Sequence, residues 1–443
     1  MPHELACARE EAMALTLEEN DLLCRVGRGT PMGEMMRRYW VPACLSEELP
    51  EPDCDPIRLR VLGEDLIAFR DTEGRAGVMQ ERCPHRGASL FFGRNEEGGI
   101  RCLYHGWKMA VDGKILDTPC EPVESMIKHH VRANAYPTYE RGDIVWAYFG
   151  PADVQPPLPD YWWMSLDKSQ LTVGKIDYAC SYLQGMEGTT DSAHNNALHS
   201  GFEYMHWSEE QIRQLEETGF PLVRMPRDQK HEMVDTAYGF RYGVIRPDLA
   251  DPAGHHIISM TPVILPWSVY LDFSPHMFVP ADDEHTWLFD VRTRGGRPLD
   301  REKELAARGE RVGIDLGPDH RKLRTLQMNY LQDRKAMRER KESWSYSGMP
   351  WGKPIQDMAV TESMGPIYDR QGEHLGVHDA MVVRLRERLL STLRRFMESG
   401  ETPATDPSIA WNRIRGGTAI VPIDTPWTAV EYPDPARAAV GVR

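Results

Sequence analysis

Two cysteines and two histidines arrive as paired donors in one short stretch. They are Cys83-Pro84-His85, then sixteen intervening residues, then Cys102-Leu103-Tyr104-His105. Four thiol and imidazole groups must converge within a few ångströms, so two rigid loops have to meet. That requirement constrains the fold more than any other feature of the chain. The spacing C-x-H-x16-C-x-x-H suits a [2Fe–2S] centre in which the cysteines hold one iron and the histidines the other. Histidines in place of two thiolates remove negative charge and raise the potential above that of an all-cysteine cluster. Pro84 and Gly87 fit a tight turn in the first loop, and Gly106 fits one in the second. The competing reading is a structural zinc site, but zinc pairs usually follow C-x2–4-C or H-x3–5-H spacing. Such a centre passes single electrons and leaves their destination open.

A chain of 443 residues has room for two or three domains, so a second site can lie beyond the first. The formal net charge of −15 argues against nucleic acid or an anionic membrane as partner. The basic run at 334–341 reads as one charged helix face. No run of about 18 apolar residues predicts a membrane span. The opening MPHELACAREEAM lacks the apolar core of a signal peptide, so a cytoplasmic location is expected. Without a secretory signal, the eight scattered cysteines do not read as a disulfide framework. Only Cys83 and Cys102 have a ligand-like context.

Residues 1–40 read as a helical lead-in, with Thr16 capping a short helix that stops near Gly27. Residues 41–152 read as a small antiparallel β domain that carries the two loops. Residues 57–62 alternate in polarity, 71–74 form a turn, and Asp112-Gly113 closes a hairpin. Residues 151–159 (PADVQPPLP) form a proline-rich break. Residues 153–443 make the second domain. Strand alternation recurs over 230–294. A helix runs from Asp379 to Met397, with Val382, Leu385, Leu389, Leu393 and Phe396 on one face. Asp379 is placed to cap its start and Gly400 its end. Residues 402–443 read as an irregular tail.

Nearly 300 residues follow the β domain, far more than an electron carrier needs. Within them lies Glu187-x3-Asp191-x2-His194-x4-His199. On a regular helix Glu187, Asp191 and His194 share a face. His199 then lies about 140° from His194, so both imidazoles reach one metal only if the helix ends or bulges between them. Asn195 and Asn196 are weak helix formers and permit this. Two histidines and one carboxylate leave open positions on a first-row metal for dioxygen and substrate. A carboxylate is still needed, and downstream Asp333, Asp357, Glu362 and Asp369 are candidates.

CPHRGASL…CLYHGW, followed by D-x2-H-x4-H, resembles the Rieske non-heme iron oxygenases, nearest the phthalate dioxygenase and aryl O-demethylase group. Tyr104 and Trp107 stand where that family places aromatics beside the cluster. The resemblance implies an α+β fold: an antiparallel β Rieske domain, then a catalytic domain of antiparallel sheet and helices of helix-grip type. It implies that Cys83, His85, Cys102 and His105 bind the cluster and that His194 and His199 bind a mononuclear Fe(II). Asp357, in the pattern Q-D-x4-E that ends at Glu362, matches the third ligand. The Gln-Asp pair at Asp333 lacks that downstream glutamate, because Arg338 stands there. Asp191 matches a bridging aspartate, bonded to His194 in its own chain and to His105 of the partner subunit. A head-to-tail homotrimer or stacked hexamer is thereby implied.

The implied activity is hydroxylation of an aromatic ring with dioxygen. Monooxygenation of a methoxy group with loss of formaldehyde is the alternative. A reading from another class is an electron carrier with a non-catalytic binding domain. No Gly-rich dinucleotide motif is present, so NAD(P)H is expected to act through a separate reductase with flavin and a plant-type iron–sulfur cluster. The pocket is expected to be largely apolar with a few polar anchors. Arg241 and Arg246 are candidates to pair with a substrate carboxylate, against the plainer reading of exposed strand residues.

Overall fold

The computed structural model describes residues 14–199, 229–248, 251–272, 274–294, 297–339 and 343–430. The opening segment through Met13 with Cys7, the end of the basic run and the last 13 residues of the tail lie outside them. The chain enters through helix Leu17–Cys24, where Thr16 and Glu19 form a reciprocal capping box.

Three small antiparallel sheets follow. Strand Trp40–Leu45 pairs with Ile144–Tyr148, so the two ends of this region close on each other. Both strands are buried along their whole length and are correspondingly apolar. A second sheet orders Ile57–Val61, Glu64–Arg70, Ala76–Gln80 and Ala135–Tyr136. The third is built from Arg94–Glu96, Gly99–Arg101, Lys108–Met109 and Ile115–Asp117. Phe69, Met79, Leu90, Ile100, Trp107 and Met109 pack between these sheets, together with Cys83 and Cys102. The Cys/His loops therefore stand on a solid apolar floor.

The second region is an eight-stranded antiparallel sheet. Its order is Leu171–Tyr178, Thr286–Thr293, Ser274–Pro280, Ser268–Leu271, His255–Ile264, Gly239–Pro247 and Lys230–Thr236. Gly417–Pro422 joins His255–Ile264 and brings part of the tail into the sheet. Helices Tyr182–Thr190 and Ala380–Ser399 pack against it, and helix Lys353–Glu362 packs on the first of these. The long helix buries Val382, Leu385, Leu389 and Leu393 of the predicted stripe, with Met381 and Leu390 beside them, and leaves Phe396 half-buried. Each such side chain stabilises by about 1.5–3 kcal/mol. Gly400 ends the helix in the left-handed region at φ 76°. Asp379 departs from expectation. Its carboxylate accepts from the Gly376 amide instead of capping the helix.

The two regions are stitched by backbone and charge. The Leu62 and Gly63 amides donate to the Pro280 and Ala281 carbonyls at 2.9 and 2.8 Å. Arg60 Nε donates to Asp282 Oδ2 at 2.7 Å. Among the described residues no helix is long and apolar enough to cross a membrane.

Candidate functional site

The two Cys/His loops repeat one local design. In the first, the Cys83 amide donates to the Ala88 carbonyl and the Gly87 amide returns to the Cys83 carbonyl. In the second, Cys102 pairs with Trp107 and Gly106 returns to Cys102 in the same way. The fourth residue after each cysteine must turn left-handed, and it is glycine both times, at φ 74° and 71°. A Cβ on Gly106 would also meet Pro119 at 2.6 Å. The loops bring His85 and His105 to a ring separation of 4.6 Å. Trp107 stacks flat on His85 at 4.6 Å, and Tyr104 lies 3.9 Å from His105.

The donors fit a two-iron cluster. Both cysteines are buried, and burial pushes the Cys83 thiol up to about 11, with the nearby Cys102 adding to the shift. A thiol in that position ionises only with a cation beside it. His105 Nδ1 is buried without a hydrogen-bond partner among the described residues, an atom free to ligate. His85, Cys102 and His105 complete the set the spacing predicts.

The second grouping forms where helix Tyr182–Thr190 stops. Asp191 is already extended, at φ −71° and ψ 119°. Its carboxylate accepts from the Ala193 amide at 2.7 Å and holds the turn. Asn195–His199 then winds as a π-helix, whose five-residue repeat brings His194 and His199 onto one side. Their rings lie 5.0 Å apart. The break that two converging imidazoles require is present, and it comes from the π turn. The shared face proposed for Glu187, Asp191 and His194 does not exist, because the helix ends before Asp191.

Helix Lys353–Glu362 supplies the carboxylate. Asp357 Oδ1 lies 3.0 Å from His199 Nε2 and 3.6 Å from His194 Nε2. One donor atom from each of these three residues lies within 4.8 Å of the others. Of the opposite ring nitrogens, that of His199 is hydrogen-bonded from behind, and that of His194 is buried without a hydrogen-bond partner among the described residues. His199 Nδ1 donates to Gln356 Oε1 at 2.7 Å, while His194 Nδ1 lies 3.4 Å from Asp191 Oδ2. A buried amide oxygen on one nitrogen leaves the other as the lone-pair donor. Burial pushes the His194 pKa down, yet Asp191 and Asp357 outweigh it and raise it. The point between these groups thus favours positive charge, which suits a cation. Burial likewise pushes Asp191 up, but His194 and two backbone amides hold it below the ordinary value.

The other candidate carboxylates have different work. Asp333 accepts from the Lys335 and Ala336 amides, and Asp369 from the Gln371 amide. Glu362 is buried against Lys322, the Ala179 amide and the Tyr330 hydroxyl, a structural role. Glu187 turns away from the site to Arg370 at 2.8 Å and Arg386 at 2.6 Å. Gln356 had no role in the sequence reading. Its only signal there was adjacency to Asp357.

A cavity of about 510 Å³ opens onto His194, His199, Asp357 and Asp191. Its wall corrects the expectation of a largely apolar pocket: Arg246, Arg292, Arg308, Lys353 and His276 line it with the carboxylates of Asp272 and Glu304, beside Tyr242, Val244 and Leu271. Arg246, His276 and Arg292 come from strands, whereas Arg308 ends helix Arg301–Arg308 and Lys353 begins helix Lys353–Glu362. Arg246 is only 4% exposed, donates to Ser259 Oγ at 2.5 Å, and leaves Nε without a partner among the described residues. Arg241 lies elsewhere, donating to the Thr428 carbonyl and resting over Trp427. A larger cavity, about 800 Å³, lies between the proline-rich segment and residues 399–411, away from both groupings.

The Rieske [2Fe-2S] domain family matches residues 39–136, and the family described as LigXa C-terminal domain like matches 147–439. The phthalate 4,5-dioxygenase oxygenase subunit of Pseudomonas putida is 39% identical over 93% of this chain and 94% of its own. The 5,5'-dehydrodivanillate O-demethylase oxygenase subunit of a Sphingobium species is 31% identical over 89% and 85%. Among solved structures, NdmB of Pseudomonas putida CBB5 aligns with a TM-score of 0.54 at 18% identity, covering 84% of this chain and 94% of its own, a likeness of fold. The chain belongs to the Rieske oxygenases, as an oxidoreductase oxygenase subunit that joins an antiparallel β Rieske domain to an α+β catalytic domain.

Proposed function

We propose that the chain is a terminal oxygenase that hydroxylates the ring of an aromatic carboxylate. One observation carries this reading: Arg246, buried with an unused donor, shares a cavity with the His194–His199–Asp357 grouping. Buried arginine suits a carboxylate through its planar fork, and the phthalate relative acts on such an acid.

Cys83, His85, Cys102 and His105 would hold the [2Fe–2S] cluster, and His194, His199 and Asp357 a mononuclear Fe(II). When bound, these groups supply single-electron transfer, drawn from NAD(P)H through a separate reductase, and the activation of dioxygen. The protein's own residues do the rest. Gln356 orients His199. Asp191 orients His194 and is proposed to reach His105 of the partner subunit in a head-to-tail homotrimer, or a hexamer of two such rings. Arg246 holds the substrate's carboxylate and so fixes which ring edge faces the metal. We take the Rieske unit as residues 41–152 and the catalytic unit as 153–443, in a cytoplasmic protein.

O-demethylation uses the same residues, and the dehydrodivanillate relative supports it. Turnover with a surrogate reductase across aromatic acids and methoxy-aromatics distinguishes the two. Ring hydroxylation predicts cis-diol without formaldehyde. Formaldehyde alone would establish the demethylase, and no product from any acid would overturn the aromatic-carboxylate reading.

A further inference from the structure

Arg246 is held in place by more than its own strand. Resting on the aromatic-carboxylate reading above, we propose that Thr418, on the tail strand Gly417–Pro422, is a positioning residue for substrate binding. It joins Ser259 to Asp272 and thereby fixes Arg246 for the substrate's carboxylate.

The connection runs through four side chains. Arg246 Nη2 donates to Ser259 Oγ at 2.5 Å. Ser259 Oγ lies 3.0 Å from Thr418 Oγ1, which donates to Asp272 Oδ1 at 2.9 Å. Each hydroxyl has one proton, and a carboxylate only accepts. Thr418 gives its proton to Asp272, so Ser259 donates to Thr418 and accepts from Arg246. All three bonds run the same way, from guanidinium to carboxylate, and bonds aligned in this manner polarise one another. Burial pushes the Arg246 charge down, and Asp272 is the charge that opposes that push. Arg246 makes no ion pair within 4 Å among the described residues, and its Nε is left without a partner there. Held by Thr418 at the exposed edge of the cavity, Asp272 therefore supports the buried cation without occupying it. The other carboxylates of the cavity are committed elsewhere: Glu304 to Arg294, Asp191 and Asp357 to the two histidines.

Strand register puts these groups together. Ser259 lies directly opposite Thr418, and Ile257 lies opposite Arg246, which makes Ser259 the diagonal neighbour of Arg246 on one face. Tyr242, Val244, Arg246, Ser259 and Thr261 line the cavity from that face. Ala419 and Val421 turn the other way and pack on the cluster of Ile258, Met260 and Trp427. That cluster fixes the register of the tail strand, because a slip of one residue would turn Thr418 to the apolar face. A Cβ on Gly416 would strike the carbonyl oxygens of Tyr270 and Asp272, so glycine there lets the tail enter close beside the carboxylate.

The test is anaerobic calorimetry on the full-length, iron-loaded enzyme with benzoate and its uncharged isostere benzamide. Thr418 is exposed, and Thr418→Val keeps the β-branched shape that suits a strand while removing the hydroxyl, so this variant should fold. It is expected to weaken benzoate about tenfold and to leave benzamide unchanged. Thr418→Ser keeps the hydroxyl and should bind benzoate as the native enzyme does. Ser259→Ala should reproduce the selective loss. A loss shared equally by benzamide would mark a merely structural role and overturn the proposal. So would a Thr418→Ser variant that binds benzoate no better than Thr418→Val, and this comparison decides alone if benzamide binds too weakly to measure. Arg246→Gln separates the proposal from the reading beneath it. If that variant loses benzoate while Thr418→Val binds it natively, only the role of Thr418 falls. If the native enzyme binds no benzoate, or Arg246→Gln binds it as tightly, the aromatic-carboxylate reading falls and the proposal with it.

Discussion

Replacing Gln356 with leucine should release the mononuclear metal while leaving the cluster in place. Gln356 is 5% exposed and spans two groups: its Oε1 accepts from His199 Nδ1 at 2.7 Å, and its Nε2 donates to the Met349 carbonyl at 2.9 Å. Leucine fills similar space and offers neither bond. The imidazole then loses the partner that fixes its tautomer and aims Nε2 at the Asp357 side. Losing a hydrogen bond behind a ligand histidine typically weakens metal binding 10–100-fold, about 1.4–2.7 kcal/mol. Two buried groups are also left unpaired, at about 1–3 kcal/mol each in stability. Chelator competition for the mononuclear iron measures the first effect, with the visible absorbance of the cluster as an internal control. Gln356→Glu retains the acceptor and should bind iron close to the native level. Native iron affinity in Gln356→Leu would refute the reasoning. So would parallel loss of the cluster, which would indicate general unfolding.

Glu187→Gln should destabilise the catalytic domain by about 3–5 kcal/mol, because Arg370 and Arg386 would stay buried with their shared carboxylate gone; chemical denaturation measures it. Asp191→Asn should leave a cluster that is still reduced by dithionite yet abolish turnover, and normal turnover would sink the bridging role. The seam pair Asp282–His285 sets a pH dependence. The hydrogen bond to Asp282 raises the pKa of His285 above its ordinary 6.5. Its stabilising contribution is complete below 6.5 and is lost as pH rises through the raised folded value. His285→Gln should therefore lower the denaturation midpoint at pH 6 and have little effect at pH 9. Asp282 behaves in the opposite sense. Burial pushes it up, but His285 and Arg60 outweigh burial and hold it far below its ordinary 3.8, so its contribution is present above 3.8 and fails only in strong acid.

What was readable in advance follows sequence distance. Cys83, His85, Cys102 and His105 sit on two short loops, and their spacing carries most of the geometry. His194 and His199 are five residues apart, and weak helix formers between them announced a break. The same periodic reasoning failed at Glu187, because it assumed a helix that ends at Thr190. Backbone termination there depends on the Asp191 turn, which no period reveals. Asp357 came from pattern, and its adjacency to His199 comes from the packing of two helices more than 150 positions apart. Arg292, Arg308 and Lys353 were not legible as site residues, and Gln356 only as the first member of the Gln-Asp pair. Arg292 lies on a sheet strand, Arg308 on helix Arg301–Arg308, and Lys353 and Gln356 on helix Lys353–Glu362, so they meet only through the packing of helices and sheet.

The central claim is that one chain carries two distinct iron sites. Iron and acid-labile sulfide analysis of the purified protein tests it most directly, alongside the variant His199→Ala. The account predicts about three irons and two sulfides per native chain. The variant should lose one iron while keeping both sulfides and the cluster's colour. A colourless protein containing zinc, or a variant that loses sulfide together with iron, would contradict it.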